Sequence, residues 1–239
     1  MSLFDRIMAA ADVKRVMIDP AEALPGRDEE MPLPPEHGVL GRPLRGVVSP
    51  EGDYTPGGIG GWDDALDAVV LAGGCFWGVE EIFWQLPGVV STAVGYAGGY
   101  TPNPSYEEVC TARTGHTEAV LVVFDPAQVS LEQILAVFFT SHDPTQEMRQ
   151  GNDIGTQYRS AIYTFSASDT EQAAQAAARF APVLAEAGYG PVTTEISELS
   201  AAGAGRFYYA EPVHQQYLHK NPNGYRCHAA TGLTFPARD

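Results

Sequence analysis

Basic side chains are scarce in this chain of 239 residues: 14 Lys and Arg stand against 30 Asp and Glu, a formal net charge of −16. Nucleic acid is thereby excluded as a partner, because binding its backbone needs clustered cations. An anionic membrane surface is excluded for the same reason. Long apolar runs are missing too. No stretch approaches the roughly 18 residues that cross a bilayer. The opening "MSLFDRIMAAADVKRV" mixes both charges into its apolar residues, unlike a signal core. The expectation is a soluble, cytoplasmic protein. Cysteine is the third scarcity. Cys75, Cys110 and Cys227 are the only three, too few and too scattered for a disulfide framework. Such a set leaves buried thiols, metal ligands or redox chemistry.

What is present changes character along the chain. Residues 1–62 hold eight of the 18 prolines and nine of the 25 glycines. "MPLPPEHG" and "YTPGGIGGW" are incompatible with continuous helix or a central strand. This part is expected to be an irregular arm with one short N-terminal helix, and Leu40, Leu44, Val47 and Val48 are its apolar anchors. Residues 63–239 are expected to form a single catalytic domain. Within it, "LDAVVLAGG" predicts a buried strand and Phe76, Val79, Phe83 and Leu86 follow helical spacing. "VVSTAVGY" and "TEAVLVVF" predict strands, and "SLEQILAVFFTSH" a helix capped by Ser130. "SAIYTF" predicts a strand, "SDTEQAAQAAARFAPVLAEAG" a helix ended by Gly188, and "VTTEISEL" a late strand. The order β-α-β-β-α-β predicts an α+β fold: a two-layer sandwich with a ferredoxin-like core and a mixed sheet. Residues 212–239, polar and rich in Gly, Asn and Pro, are expected to be a mobile tail.

Chemistry concentrates around "GGCFWGVEEIFW". Cys75 ends a strand and starts a helix, where free N–H groups and the helix dipole favour a thiolate. The glycines before it allow a sharp turn that leaves the sulfur accessible. A buried structural cysteine is the competing use. Phe76 and Trp77 are core residues or walls of a small apolar pocket. Glu118 begins a run apolar on both faces, where lost solvation raises a carboxyl pKa. Its alternative is a solvated place at the strand mouth, paired with Arg113. Tyr106 and Tyr158 lie in loop-like surroundings, and Asp153 in "GNDIG" has the character of a turn residue. In the tail, His214, His219, Cys227 and His228 have zinc-ligand types but lack a paired-cysteine knuckle. A mobile Cys227 reaching an oxidised partner sulfur is the other use of that segment.

Taken together, "GGCFWGVEEIFWQLPGV", "GYAGGYTPNPSYEEVCTARTGHTEAV", "HDPTQEMRQGNDIGTQYRS" and "HQQYLHKNPNGY" resemble the A-type peptide methionine sulfoxide reductases. The likeness runs from about Asp67 to Tyr225. It implies thiol-dependent reduction of the S epimer of methionine sulfoxide, free or in proteins, on a ferredoxin-like fold without metal or organic cofactor. By resemblance Cys75 is the nucleophile, which becomes a sulfenic acid. Glu118 is the proton donor, and Tyr106 and Tyr158 hold the polarised oxygen. Phe76 and Trp77 receive the S-methyl group, Asp153 lines the site, and thioredoxin is the reductant of a protein expected to be monomeric. The chain departs from the family at the resolving thiol. Many relatives continue "GYC" into a glycine-rich stretch with a second cysteine. Here Tyr225 and Arg226 precede Cys227, one position later, and no further cysteine follows. Cys227 is therefore the expected resolver, and Cys110 is expected to be buried and inert.

Overall fold

Unbroken runs of β-branched and apolar residues set the central strands. In the computed structural model, which describes residues 13–44, 65–227 and 229–237, β1 is Asp67–Gly73, β2 Val89–Ala97 and β3 Thr117–Phe124. Apart from Asp67 and Val90, every residue of these strands is buried. That is why they lack the alternation of strands with one wet face. Arg149–Gln150 (β4) pairs with Asp153–Ile154 (β5) in a small ladder of its own. Ser160–Thr164 (β6), Glu195–Glu198 (β7) and Tyr208–Tyr209 (β8) complete the main sheet.

The sheet order is β7-β6-β1-β3-β2-β8, antiparallel except for the parallel pair β6–β7. Its four middle strands have the ferredoxin-like order expected from the sequence, with β7 and β8 added at the edges. The helices are Phe76–Trp84 (α1), Tyr106–Cys110 (α2), Leu131–Ser141 (α3), Ala167–Glu186 (α4) and Tyr217–Lys220 (α5). Ser130 caps α3 in a reciprocal box with Gln133. Just beyond α4, Gly188 takes a φ of +84°, the left-handed stop that the sequence predicts.

On one face of the sheet Val69, Leu71, Val120 and Val122 meet Phe83, Phe138 and Phe180 from the helices. The opposite face is covered mostly by irregular chain. There Val70, Leu121 and Val123 meet Leu33 and Leu44 of the arm, together with Leu199 and Phe207. Leu40 packs on the helical core. Val47 and Val48, and the start of the arm where a short helix is expected, lie outside the described residues. The arm also grips the rim of the domain. The Leu24 N–H donates to the Arg113 carbonyl at 3.0 Å, and Arg27 pairs with Glu108 at 2.9 Å.

The tail is docked along much of its length. Arg226 holds Glu81 through a 2.7 Å bond from Nη2. Farther on, Phe235 stacks on Phe180 and Phe139 with centroids 5.5 and 6.1 Å away, and the Arg179 guanidinium sits 5.0 Å from its ring.

Candidate active site

The turn into α1 depends on Gly74. Its φ of +99° suits only glycine, and an added Cβ there would meet the Gln150 side chain at 2.7 Å. Cys75 follows as the N-cap of α1, and its side chain makes no capping bond. The sequence leaves two uses for this sulfur, accessible and inclined to the thiolate or buried, and the position is buried. Cys75 is only 7% exposed. Burial, and after it the Glu118 carboxylate, pushes its thiol far above the ordinary range, while the Trp77 and Gly78 N–H groups pull the other way. A helix N-terminus favours an anion by about 0.3–1 kcal/mol. Desolvation shifts reach about 3–5 pKa units, at roughly 1.4 kcal/mol each. Desolvation wins, and the resting sulfur is a thiol. It is reached through a cavity of about 480 Å³ whose walls include Gly78, Glu81, Ser141, Arg226 and Cys227.

Glu118, second residue of β3, is 1% exposed and not at a wet strand mouth. The Phe76 N–H donates to its Oε2 at 3.0 Å, which fixes the carboxyl beside the residue that follows Cys75. Burial raises its pKa to about 8, against the Phe76 bond and with help from Asp153. At neutral pH the carboxyl therefore carries a proton. The charge of Glu118, once ionised, also acts on the Tyr106 and Tyr158 phenols, which burial holds protonated throughout the useful pH range. Tyr106 is not in a loop: it is the first residue of α2, whose Ser105–Glu108 capping box fixes the helix start. Tyr158 closes a short 3-10 turn, Thr156–Tyr158.

Asp153 sits on β5 and accepts from the Tyr225 hydroxyl at 3.1 Å, with the Cys227 thiol as a second partner. The Cys227 sulfur also lies 3.5 Å from the Gln150 carbonyl. Burial raises its pKa, as does Asp153. Cys110 departs from the expected full burial. It is half-buried at the end of α2, where burial raises its pKa and the Tyr106 side chain lowers it.

The aromatics form one continuous stack. Phe76, fully buried, backs Tyr106 and Trp77 with centroids 6.3 and 6.2 Å away. Trp77 lies flat on Tyr217 at 4.0 Å, and its Nε1–H donates to His214 Nδ1 at 3.3 Å. His214 is itself 4.5 Å from Tyr106. The sequence alone does not assign His214, Tyr217 or Glu211 to this place. The signal for His214 and Tyr217 was the "HQQYL" run, read there as tail, and Glu211 just before it carried none. Glu211 accepts from the Tyr106 N–H at 2.8 Å and from the Tyr96 hydroxyl at 3.0 Å. Among the described residues no three His, Cys, Asp or Glu side chains gather as metal ligands. His228 lies outside those residues.

An α+β sandwich that sets a thiol at a helix start, beside a buried carboxyl, is an arrangement suited to an oxidoreductase. The family model for peptide methionine sulfoxide reductase matches residues 67–236. Peptide methionine sulfoxide reductase MsrA of Azotobacter vinelandii is 56% identical over 218 residues, covering 91% of this chain and 92% of the relative. The enzyme of the same name from Brucella melitensis biotype 2 is 50% identical over 236 residues, covering 99% and 98%. The solved structure of methionine sulfoxide reductase A of Corynebacterium diphtheriae superposes with a TM-score of 0.79 at 45% identity, covering 93% of this chain and all of that one. The chain belongs to the peptide methionine sulfoxide reductase family, and its activity is the reduction of methionine sulfoxide. Among the described residues no helix is long and apolar enough to cross a membrane.

Proposed function

We propose that the chain reduces the S epimer of methionine sulfoxide, free or in proteins, through a sulfenic acid on Cys75. The observation that carries this reading is the buried Glu118 carboxyl, pinned by the Phe76 N–H at 3.0 Å and protonated at neutral pH. A sulfoxide oxygen leaves only as it is protonated, and Glu118 supplies that proton. The substrate S–O bond breaks as an S–O bond to Cys75 forms. The substrate sulfur gains two electrons and leaves as a thioether, while Cys75 loses two and becomes the sulfenic acid. The thiol proton of Cys75 restores the Glu118 carboxyl. Tyr106 and Tyr158, protonated and close enough to feel the Glu118 charge, donate to the polarised oxygen. Trp77, backed by Phe76, takes the S-methyl group, and Asp153 lines the site.

Cys227 then displaces water from the sulfenic acid to form a disulfide with Cys75. The cavity shared by the two residues supports this assignment. Thioredoxin, in the role the family resemblance implies, returns the disulfide to two thiols. The testing experiment is a single turnover with one equivalent of a methionine S-sulfoxide, followed by mass spectrometry. Cys75→Ser is expected to release no methionine. Cys227→Ser is expected to release one equivalent and stop at the sulfenic acid. Glu118→Gln is expected to slow the turnover by about 10²-fold or more. Wild-type rates in Cys75→Ser or in Glu118→Gln would overturn the respective role.

A further inference from the structure

Glu80, on α1 and one turn beyond Trp77, is a buried acid besides Glu118, and the reduction chemistry does not use it. It is fully buried, yet none of its lone pairs faces a cation within salt-bridge distance among the described residues. Its partners are three neutral donors. The Gln216 N–H reaches Oε2 at 2.8 Å, while Gln216 Nε2 and the Thr92 hydroxyl reach Oε1 at 2.8 and 3.2 Å. The proton directions upstream are fixed as well. His37 Nδ1 accepts the Val39 and Leu40 N–H groups at 3.1 Å each, so its proton is on Nε2, which donates to Thr92 at 2.8 Å. Thr92 must then pass its own hydrogen to Glu80.

A carboxylate surrounded only by donors has one consequence downstream. Gln216 holds a φ of +47°, a left-handed backbone uncommon for a non-glycine residue. Both its backbone and its side chain are tied to Glu80. This turn separates His214 from Tyr217, the two rings that grip Trp77 through a 3.3 Å hydrogen bond and a 4.0 Å stack. We infer that Glu80 is the positioning residue of the substrate pocket: by holding the turn at Gln216 it sets His214 and Tyr217 against Trp77. This rests on the reading of Trp77 as the seat of the S-methyl group. Glu80 touches no reacting atom. Its influence reaches binding through the aromatic wall.

The test uses the full chain, a methionine S-sulfoxide peptide and dithiothreitol. Glu80→Gln presents an amide N–H to donors and breaks the arrangement. KM is expected to rise about tenfold with kcat within about twofold, and the rise to vanish in a Trp77→Ala background. Gln216→Asn, which tolerates the left-handed backbone but is too short to reach Glu80, is expected to raise KM in the same way. It carries the test if Glu80→Gln does not fold. A lower melting temperature with unchanged KM would mean a structural acid only and overturns the proposal. So does a KM increase that persists in full without Trp77. If Trp77→Ala alone leaves KM unchanged, the pocket reading fails and takes this one with it. A raised KM in Trp77→Ala beside a normal one in both other variants rejects Glu80 alone.

Discussion

Glu118 and Glu80 differ from the exposed carboxylates by what surrounds them, and their burial has a pH signature. Burial raises Glu118 to about 8 against an ordinary value of 4.5, and raises Glu80 only to about 7, because the Gln216 and Thr92 donors hold its carboxylate form. The folded state therefore binds protons that the unfolded chain has released, and stability falls as pH rises through that range. His37, His116 and His142 are pushed down to about 4 by burial, which lowers His214 as well, so the protons that the unfolded chain still carries on them oppose this fall until about one pH unit above 6.5. From about pH 7.5 to about 8 the decline belongs to the two acids. The urea midpoint is expected to drop across this window, and Glu118→Gln to flatten the drop and exceed wild type at pH 8. A midpoint that stays level in wild type would contradict the protonated carboxyl. The same proton governs the chemistry, so single-turnover rates are expected to fall as pH passes about 8. That Glu118 opens an otherwise apolar run was legible, but its burial was not, because a solvated place at the strand mouth fits the same pattern. That Glu80 matters was not, because a glutamate on an amphipathic helix has the look of a solvated face.

Among the elements, legibility followed length and chemistry. The run at β1 and the Ser130 cap of α3 were plain in the sequence, since burial on both faces and capping each leave a local pattern. The two-residue strands β4 and β5 leave none. Two substitutions separate stability from placement. Ser130→Ala is expected to lower stability by about 1 kcal/mol through the lost cap, with activity unchanged. Gly74→Ala faces both an unfavourable φ of +99° and a 2.7 Å approach to Gln150. Strain of this kind is worth about 1–3 kcal/mol, and its relief moves Cys75 away from Glu118. Activity is expected to fall well beyond the loss in melting temperature. A fully active Gly74→Ala protein would show that the turn does not place the sulfur.

At the scale of the whole molecule, the arm replaces a second helical layer. Leu44, 1% exposed, seals the face of the sheet that the helices leave open. Leu44→Ala is expected to destabilise the domain by about 2–5 kcal/mol in a urea titration. An effect below half a kcal/mol would mean that the arm merely lies on the surface. From composition the arm is expected to be irregular; its task as a cover is visible only in the contact of Leu33 and Leu44 with Val70 and Leu121. By itself the sequence determined the order of the longer strands and helices, the family, and which thiol and which acid to suspect. These are properties of local period and local motif, carried by neighbours along the chain. Only the tertiary structure decided the protonation of Cys75 and Glu118, the gathering of His214 and Tyr217 around Trp77, and the tie from Glu80 to Gln216. Desolvation and hydrogen bonding depend on atoms that are distant in sequence and adjacent in space, and no local pattern records them.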